Sequence, residues 1–394
     1  MFDFDQPICR QGSHASKQVE CRTVFGRDDV IPMWVADMDF ASPPAVVEAL
    51  QKRAEHPLYG YTATPDSLSE ALLGWLNQRH HWQGHAGQVA LVRGMLPALQ
   101  AAIRCLSRPG AGVVVMPPVY PPFFELVESN QRSLRTCPLL LEQHQYRIDL
   151  DRLEALSAEP DTELLLLCSP HNPMGRVWSQ AELEQLLAIC RQHGVAIFSD
   201  EIHADLAYPD RSRPRLLVSM ATADDAVVSA VAPGKTFNIQ GLGLAALISR
   251  RTDLLGRLQQ DAEPLGELHA NPFSLAAFEA GYRHGGDWLD ALMRYLQANR
   301  DRVMAFFRRE LPEIKVIDPQ AGYLLWLDCR ALGLDDQALM RLFVDGAGVG
   351  LNAGLRFGQQ GSGFMRMNIA SPIATINRAL GQILAAVAQQ RKTA

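Results

Sequence analysis

Between about residues 88 and 250 the chain alternates short apolar runs with segments of helical period. The apolar runs are rich in β-branched residues and lie at residues 112–116, 163–168, 195–199, 226–231 and 244–248. Unbroken apolar strands are typical of a sheet that is covered on both faces. The alternation therefore predicts an α/β domain with a largely parallel sheet, whose ligand crevice lies at the carboxyl ends of the strands.

Several helix boundaries are visible in the polar residues between these runs. Ser179 and Glu182 form a capping box, an apolar stripe follows, and Gly194 ends the predicted helix. A second helix is predicted to start near Gly94 and to run to about Leu106. The two prolines after Ser42 predict a third, capped helix start.

The pattern changes after about residue 285. A long amphipathic helix is followed by a hairpin-like segment at 322–328, a helix, a Gly-rich stretch from 346 to 363, a strand and a final helix. This order predicts a smaller α+β domain. We predict an N-terminal arm at 1–45 that joins the small domain, a large domain at 46–285 and a small domain at 286–394.

Composition narrows the class of protein. The 394 residues are 47% hydrophobic and 20% charged, which fits a globular protein of two domains. The net charge is −6 and no basic block occurs, so we expect no nucleic-acid partner. Seven scattered cysteines without metal-site spacing predict reduced thiols. With no signal peptide or membrane-length apolar run, we expect a cytoplasmic protein without a membrane partner.

Lys235 is the first candidate for chemistry. It lies between a predicted strand and a Gly-rich segment, and we expect Gly234 to allow an unusual backbone turn there. Partial burial lowers the pKa of a lysine, which is what a Schiff-base lysine needs. Taken alone, the loop favours an ordinary surface lysine, and the residues upstream reverse that preference.

Four other segments place polar or aromatic residues at the ends of predicted strands or at the start of a predicted helix, and three of them are described first. Gly94, Met95 and Leu96 begin a helix, whose free backbone N–H groups can cradle a phosphate. Tyr120 follows a strand among prolines, where it either stacks on a planar ring or packs within the loop. Asn172 lies between two prolines, which predicts either a rigidly presented amide or a tight turn with a cis X-Pro bond.

Asp200 and Glu201 directly follow an apolar strand. Two adjacent acids at such a position are costly unless they meet a cation or hydrogen-bond donors. No second acid or histidine cluster supports a metal site, so we predict none. Asp200 is better explained by pairing with a protonated heterocyclic nitrogen.

The ordered set of Tyr120, Asn172, Asp200 and Lys235 resembles the fold-type I pyridoxal 5′-phosphate (PLP) enzymes of the aspartate aminotransferase superfamily. The resemblance covers essentially the whole chain. The segments closest to the cystathionine β-lyase (C–S lyase) branch are residues 32–40, 59–61, 169–178, 199–203, 235–238 and 364–370. The resemblance implies a large domain with a mostly parallel seven-stranded sheet, a smaller α+β domain and PLP as the cofactor.

The resemblance also implies roles around the PLP ring. Lys235 carries the cofactor and then takes the substrate Cα proton. Asp200 keeps the pyridine nitrogen protonated, Asn172 donates to the 3′ oxygen, and Tyr120 stacks on the ring. His203 either supports the 3′-oxygen side or Asp200, or is a packed loop histidine.

Further roles concern the phosphate and the substrate. Gly94 and the amides of Met95 and Leu96 match the phosphate cradle. Arg366 matches the arginine that forks onto the substrate carboxylate. Tyr61 matches a tyrosine contributed by a partner subunit, which implies a homodimer with shared sites. The residues expected to face the small-molecule amino-acid substrate are Arg366, Asn172, Trp34, Val35, Ala36, Tyr61 and, more loosely, Asn352.

Four positions depart from the family pattern, and one of them is Ala353, where relatives frequently have a polar residue. Ala232 and Gly234 stand where relatives often carry hydroxyl side chains, and Gly243 stands where aminotransferases commonly have an arginine. The phosphate charge is therefore expected to be balanced by the helix dipole, backbone amides and Tyr61.

The resemblance favours β-elimination from L-cystathionine or a related S-substituted L-cysteine, which yields a thiol, pyruvate and ammonia. An aminotransferase is the alternative, because it uses the same Lys, Asp, Asn and Arg. A relative with an added regulatory protein-binding role is a third possibility.

Overall fold

The structure is a computed structural model that describes residues 2–263 and 270–393, so residues 264–269 of the predicted large domain lie outside the described residues. The strands are β1 (Ile31–Pro32), β2 (Val89–Val92), β3 (Gly112–Val115), β4 (Ser133–Thr136), β5 (Leu140–Glu142), β6 (Gln145–Arg147), β7 (Thr162–Cys168), β8 (Ala196–Asp200), β9 (Val227–Val231), β10 (Ala245–Ile248), β11 (Lys315–Val316), β12 (Leu324–Asp328), β13 (Val349–Gly350), β14 (Asn352–Ala353) and β15 (Phe364–Asn368). The α-helices are α1 (Ser16–Val19), α2 (Cys21–Phe25), α3 (Pro44–Glu55), α4 (Asp66–His80), α5 (Met95–Leu106), α6 (Pro122–Ser129), α7 (Leu150–Ser157), α8 (Gln180–His193), α9 (Leu217–Met220), α10 (Pro233–Phe237), α11 (Thr252–Ala262), α12 (Pro272–His284), α13 (Gly286–Glu310), α14 (Asp336–Arg341) and α15 (Ile373–Thr393).

Seven strands form the large sheet in the order β2-β10-β9-β8-β7-β3-β4. Strand β10 is antiparallel to both of its neighbours, and the other pairings are parallel. Each of the five apolar runs became a strand whose ends lie within one residue of the prediction. The prediction of a mostly parallel seven-stranded sheet is confirmed.

Helices cover both faces of this sheet, which is why its central strands are apolar throughout. In β8, Ala196 and Phe198 pack in the cluster that includes α5, whereas Ile197 packs in the cluster that includes α8. Successive side chains of a strand point to opposite faces, so both faces of β8 are buried.

The carboxyl ends of β2, β3, β7, β8 and β9 meet at one edge of the sheet, because these strands all run in the same direction. The residues at or just beyond these ends are Gly94, Tyr120, Asn172, Asp200 and Lys235. The topology thus gathers at one edge side chains that are up to 141 positions apart in sequence. Ligands of open α/β sheets bind at this edge.

The helix signals were right in two cases and partly wrong in the third. Glu182 N donates to Ser179 Oγ at 3.2 Å, Ser179 N donates to Glu182 Oε2 at 2.7 Å, and Gly194 ends α8 in a left-handed conformation. Helix α5 ends at Leu106, as predicted. Ser42, however, does not cap α3: the helix starts at Pro44, and Ser42 Oγ donates to the carbonyl of Asn238 at 3.1 Å.

A second, antiparallel sheet has the order β11-β12-β15-β14. Its central strands, β12 and β15, are the hairpin-like segment and the strand that the sequence predicted after residue 285. The N-terminal arm reaches this half of the molecule, since Ile31 of β1 pairs with Val349 of β13. The boundaries proposed at residues 45 and 285 stay predictions.

Two further features of the described ranges are the hydropathy of the helices and the state of the cysteines. No helix in residues 2–263 and 270–393 is long and apolar enough to cross a membrane. The seven cysteines are all free thiols, and five of them are buried.

Candidate active site

Lys235 lies in the short helix α10. A single residue, Ala232, separates this helix from the end of β9. Its Nζ donates to the carbonyl oxygen of Ala36 at 2.6 Å. Burial and the positive charge of Arg366 lower the pKa of Lys235 to about 8. The amine is therefore much closer to neutrality than a surface lysine, as the Schiff-base hypothesis requires.

Position 234 requires a glycine for a different reason from the one predicted. It lies inside α10, and a Cβ there would lie 3.0 Å from Cα of Gln240, so the position requires a close approach of two backbone segments. The unusual turn is made by Asn238, which ends α10 at φ 55°. The side chain of Asn238 bonds to both the N–H and the carbonyl of Met38, at 3.0 and 3.1 Å. The lysine loop is thereby fastened to the N-terminal arm.

A cavity of about 250 Å³ lies between Lys235, Tyr120 and the start of α5. Gly94, Met95 and Leu96 line one end of it. The first amides of a helix have no intrahelical acceptor and lie at the positive end of the helix dipole, so this end suits an anion. Ala232, Gly234 and Gly243 line the same cavity without a hydroxyl or a guanidinium.

Asp200 is the last residue of β8 and is buried. Burial raises its pKa to about 6, although the N–H of Ile202 donates to its Oδ1 at 3.3 Å and the charge of Lys235 favours the carboxylate. A buried carboxylate of this kind gains most from a cationic partner. The structure therefore leaves Asp200 with the electrostatics that pairing with a protonated ring nitrogen requires.

The neighbours of Asp200 differ in what they contact. Glu201 faces away from the site: its Oε1 accepts from Ser199 Oγ at 2.7 Å and from Leu217 N at 2.8 Å. Burial, reinforced by the charges of Lys235 and Arg366, lowers the pKa of His203 to about 3, so His203 is neutral. Its ring makes an edge contact with Tyr323, and its buried Nδ1 has no hydrogen-bond partner within the described chain.

Arg366 and Asn172 are brought together although they are 194 positions apart. The Nη1 of Arg366 donates to Asn172 Oδ1 at 3.0 Å, and its Nη2 donates to the carbonyl of Trp34 at 2.9 Å. Asn352 Nδ2 donates to the same Trp34 carbonyl at 2.7 Å. Burial lowers the pKa of Arg366 to about 10, so the guanidinium remains charged at neutral pH. It faces the predicted substrate mouth, since it donates to the carbonyl of Trp34.

The site contains two further residues, Tyr323 and Asn368, that the sequence did not predict. The hydroxyl of Tyr323 donates to the Ala36 carbonyl at 3.0 Å. Asn368 Nδ2 donates to the carbonyls of Val35 and Asp37, both at 2.6 Å. A signal existed for Asn368, because it lies two residues after Arg366 on a buried strand and therefore on the same face. Tyr323, in an apolar run, gave no comparable signal.

Tyr61 does not line this cavity in the described chain. It is 95% exposed, in the segment between α3 and α4, whereas Trp34 is buried and Val35 and Ala36 are partly buried. The structure thus brings together the predicted residues around Lys235 and leaves Tyr61 on the surface.

Comparison with known proteins identifies the class that this fold and site define. The model of the family "Aminotransferase class I and II" matches residues 28–383, so the chain belongs to this family. The prediction of a fold-type I PLP enzyme is confirmed.

The relatives indicate the branch within the family. Over 391 residues the chain is 40% identical to cystathionine beta-lyase PatB of Bacillus subtilis, covering 98% of this chain and 100% of PatB. Protein MalY of Escherichia coli is 32% identical over 390 residues, covering 98% of this chain and 99% of MalY. The crystal structure of cystalysin from Treponema denticola, which contains a PLP cofactor, matches with a TM-score of 0.95 at 32% identity, covering 99% of this chain and 100% of cystalysin. The predicted resemblance to the C–S lyase branch is confirmed.

Proposed function

We propose that this protein is a PLP-dependent carbon–sulfur lyase that acts on L-cystathionine or a related S-substituted L-cysteine. One arrangement carries the proposal: Lys235, with a pKa lowered to about 8, lines the cavity whose other end is the start of α5, with buried Asp200 nearby. PLP needs an amine for its aldehyde, a cradle for its phosphate and an acid for its ring nitrogen. The residues present fit all three needs.

The cofactor, when bound, supplies an electron sink for the pair left at the substrate Cα. The chain supplies the proton transfers. Lys235 is the general base that removes the Cα proton, and a pKa near neutrality suits this role because both protonation states are accessible. Asp200 would hold the ring nitrogen protonated. Tyr120 lines the same cavity, where it would pack against the cofactor ring.

Substrate binding is assigned to the arm and the second sheet. We infer that Arg366 turns its two donors from Asn172 and Trp34 to the substrate carboxylate, and that Asn172 then donates to the 3′ oxygen of the cofactor. Trp34, Val35, Ala36 and Tyr61 would form the mouth. The thiol leaves from Cβ, and hydrolysis of the remaining unsaturated amine gives pyruvate and ammonia.

We also propose a homodimer with shared active sites, in which the partner's Tyr61 reaches the phosphate. Its support is the run of exposed apolar side chains at Leu58, Tyr59 and Tyr61, which are 70%, 55% and 95% exposed, because an exposed apolar patch is typical of a protein–protein interface. The seven free cysteines support a reducing compartment, the cytoplasm.

The deciding experiment measures pyruvate formed from L-cystathionine by a coupled lactate-dehydrogenase assay, without any added keto acid. Stoichiometric thiol and pyruvate are expected. Turnover that requires a keto-acid acceptor would show that the protein is an aminotransferase instead. Replacement of Lys235 by alanine supplies the inactive control.

A further inference from the structure

A second cavity, of about 300 Å³, lies where the end of α4 faces α13. It shares no lining residue with the cavity at Lys235. Its volume is at the lower end of the range that small-molecule sites occupy. The cavity is therefore large enough for a small ligand and separate from the proposed active site.

The wall of this second cavity is positively charged. Four arginines and two aspartates line it, so the guanidiniums on the wall outnumber the carboxylates by two. Both aspartates are already engaged: Arg79 pairs with Asp290, and Asp205 accepts from Trp75, His80 and Thr236. Among the described residues no further carboxylate lines the wall to balance the other arginines.

Arg213 and Arg294 carry this surplus charge. Both are exposed on the cavity rim. Neither forms an ion pair with any residue that the structure describes, whereas the third lining arginine, Arg211, is paired with Asp318 at 2.8 Å. Two unpaired guanidiniums beside one cavity are suited to an anion with several oxygens.

Three buried polar atoms on the same wall also lack a hydrogen-bond partner among the described residues. They are His80 Nδ1, the hydroxyl of Tyr208 and Nε of Arg211. These three atoms are inaccessible to solvent, so the recognition of a ligand in the cavity depends on the exposed guanidiniums of Arg213 and Arg294.

The remaining wall is apolar and includes Leu289, Met293 and Pro209. An inorganic anion would leave this surface uncovered. We propose that the cavity binds a phosphate monoester of a small organic molecule, with the phosphate at Arg213 and Arg294 and the organic part against Leu289 and Met293. A phosphate monoester carries a charge of about −1.5 to −2 near pH 7, which is opposite in sign and similar in size to the combined charge of Arg213 and Arg294.

The second cavity is connected to the lysine loop by hydrogen bonds. His80 Nε2 lies 2.8 Å from Asp205 Oδ1, and Thr236 Oγ1 donates to Asp205 Oδ2 at 2.8 Å. Thr236 directly follows Lys235. The ligand would thus lie behind the active-site loop, where it does not compete with the substrate.

The test is calorimetric titration of the borohydride-reduced holoenzyme with phenyl phosphate, because fixing the cofactor keeps its own phosphate cradle filled. We expect one site per chain and a dissociation constant at least about tenfold higher for R213Q/R294Q, because the variant loses both guanidiniums that donate charged hydrogen bonds to the phosphate. Arg308 lies on the same helix as Arg294, is exposed and has no ion pair in the described chain, so R308Q is the matched control and should change binding less than about twofold.

Three results would overturn the proposal. The first is the absence of binding to the reduced holoenzyme. The second is equal binding by wild type and R213Q/R294Q. The third is equal affinity for phenyl phosphate and inorganic phosphate, which would remove the organic part from the apolar wall. Circular dichroism of each variant establishes that the fold is retained.

Discussion

Lys235 Nζ and the carbonyl oxygen of Ala36 are 2.6 Å apart, and this hydrogen bond joins the loop after β9 to the N-terminal arm. The same carbonyl accepts from Tyr323 of the second sheet at 3.0 Å. Three segments far apart in sequence therefore meet at one oxygen atom. Because Ala36 is also predicted to line the substrate mouth, the position of the arm and the state of the lysine depend on each other.

Borohydride should fix the cofactor to Lys235. The chain has five lysines, and Lys235 is the one whose amine lies in the cavity beside Asp200. Peptide mapping after reduction identifies the labelled residue. Label on Lys52 or Lys315 instead would remove Lys235 from its role, and K315A should retain full labelling.

Arg366→Ala should raise KM for amino-acid substrates by about 10- to 100-fold, because it removes two charge-assisted hydrogen bonds. Bound cofactor, measured by absorbance, should change little. Exposed Arg378 provides the control variant, R378A, with unchanged kinetics. A KM equal to that of the wild type would show that the carboxylate binds elsewhere.

Asp200→Asn should stabilise the apoprotein at pH 8 while it abolishes efficient turnover. Burial raises the pKa of Asp200 to about 6, so the folded state holds this proton more tightly than the unfolded state. The resulting stability is fully present below about pH 4 and is lost as the pH rises through 6. The buried carboxylate then costs about 3 kcal/mol at pH 8.

Urea unfolding at two pH values checks this prediction. The free energy of unfolding of D200N should exceed that of the wild type at pH 8 and equal it at pH 4. Equal stability at pH 8 would contradict the destabilising effect of the buried carboxylate.

Lys17→Met should destabilise the protein by about 1.5–3 kcal/mol, because it removes the charged hydrogen bonds to Asp39 while Arg10 remains as a second cation. Lys17 is fully buried, and its Nζ donates to both carboxylate oxygens of Asp39 at 3.0 Å. Burial alone would raise the pKa of Asp39, but the charges of Lys17 and Arg10 hold it below its ordinary value. Removing Lys17 leaves the partly exposed carboxylate of Asp39 with Arg10 as its remaining cation.

An exposed ion pair is the control for this variant. Arg22 and Asp28 are 3.9 Å apart with side chains 80% and 72% exposed, so R22M should cost less than about 1 kcal/mol. Thermal unfolding of both variants gives the comparison. Similar losses for K17M and R22M would mean that the buried pair contributes no more than a surface one.

Mixing inactive Lys235→Ala with Tyr61→Ala should restore activity if the sites are shared. The mixed dimer then contains one intact site, and random reassociation should recover about a quarter of wild-type turnover per chain. K235A mixed with D200N is the control, because both residues belong to the same chain's site and no mixed dimer is intact. No recovery in the first mixture would assign Tyr61 a role within its own chain, or none at the site.

Two sequence predictions show where local patterns fail. Gly234 was expected to make an unusual turn, but it instead allows the approach of Gln240. Ser42 was expected to cap α3, but its hydroxyl bonds to Asn238. In both cases the role of the residue is decided by a contact with a residue elsewhere in the chain or across a turn. The sequence immediately around the residue does not reveal this contact.

The sequence by itself determined the parallel sheet, the helix boundaries around Ser179 and Gly94, and the residues at the strand ends. Periodicity, capping and the apolar runs are local properties, and parallel strands bring their carboxyl ends together without further information. Only the tertiary structure decided that Arg366 meets Asn172, that Tyr323 and Asn368 hold the arm, and that Arg213 and Arg294 share a second cavity. These contacts depend on how two sheets and an N-terminal arm pack against each other, and burial in that packing sets the charge state of Lys235 and Asp200.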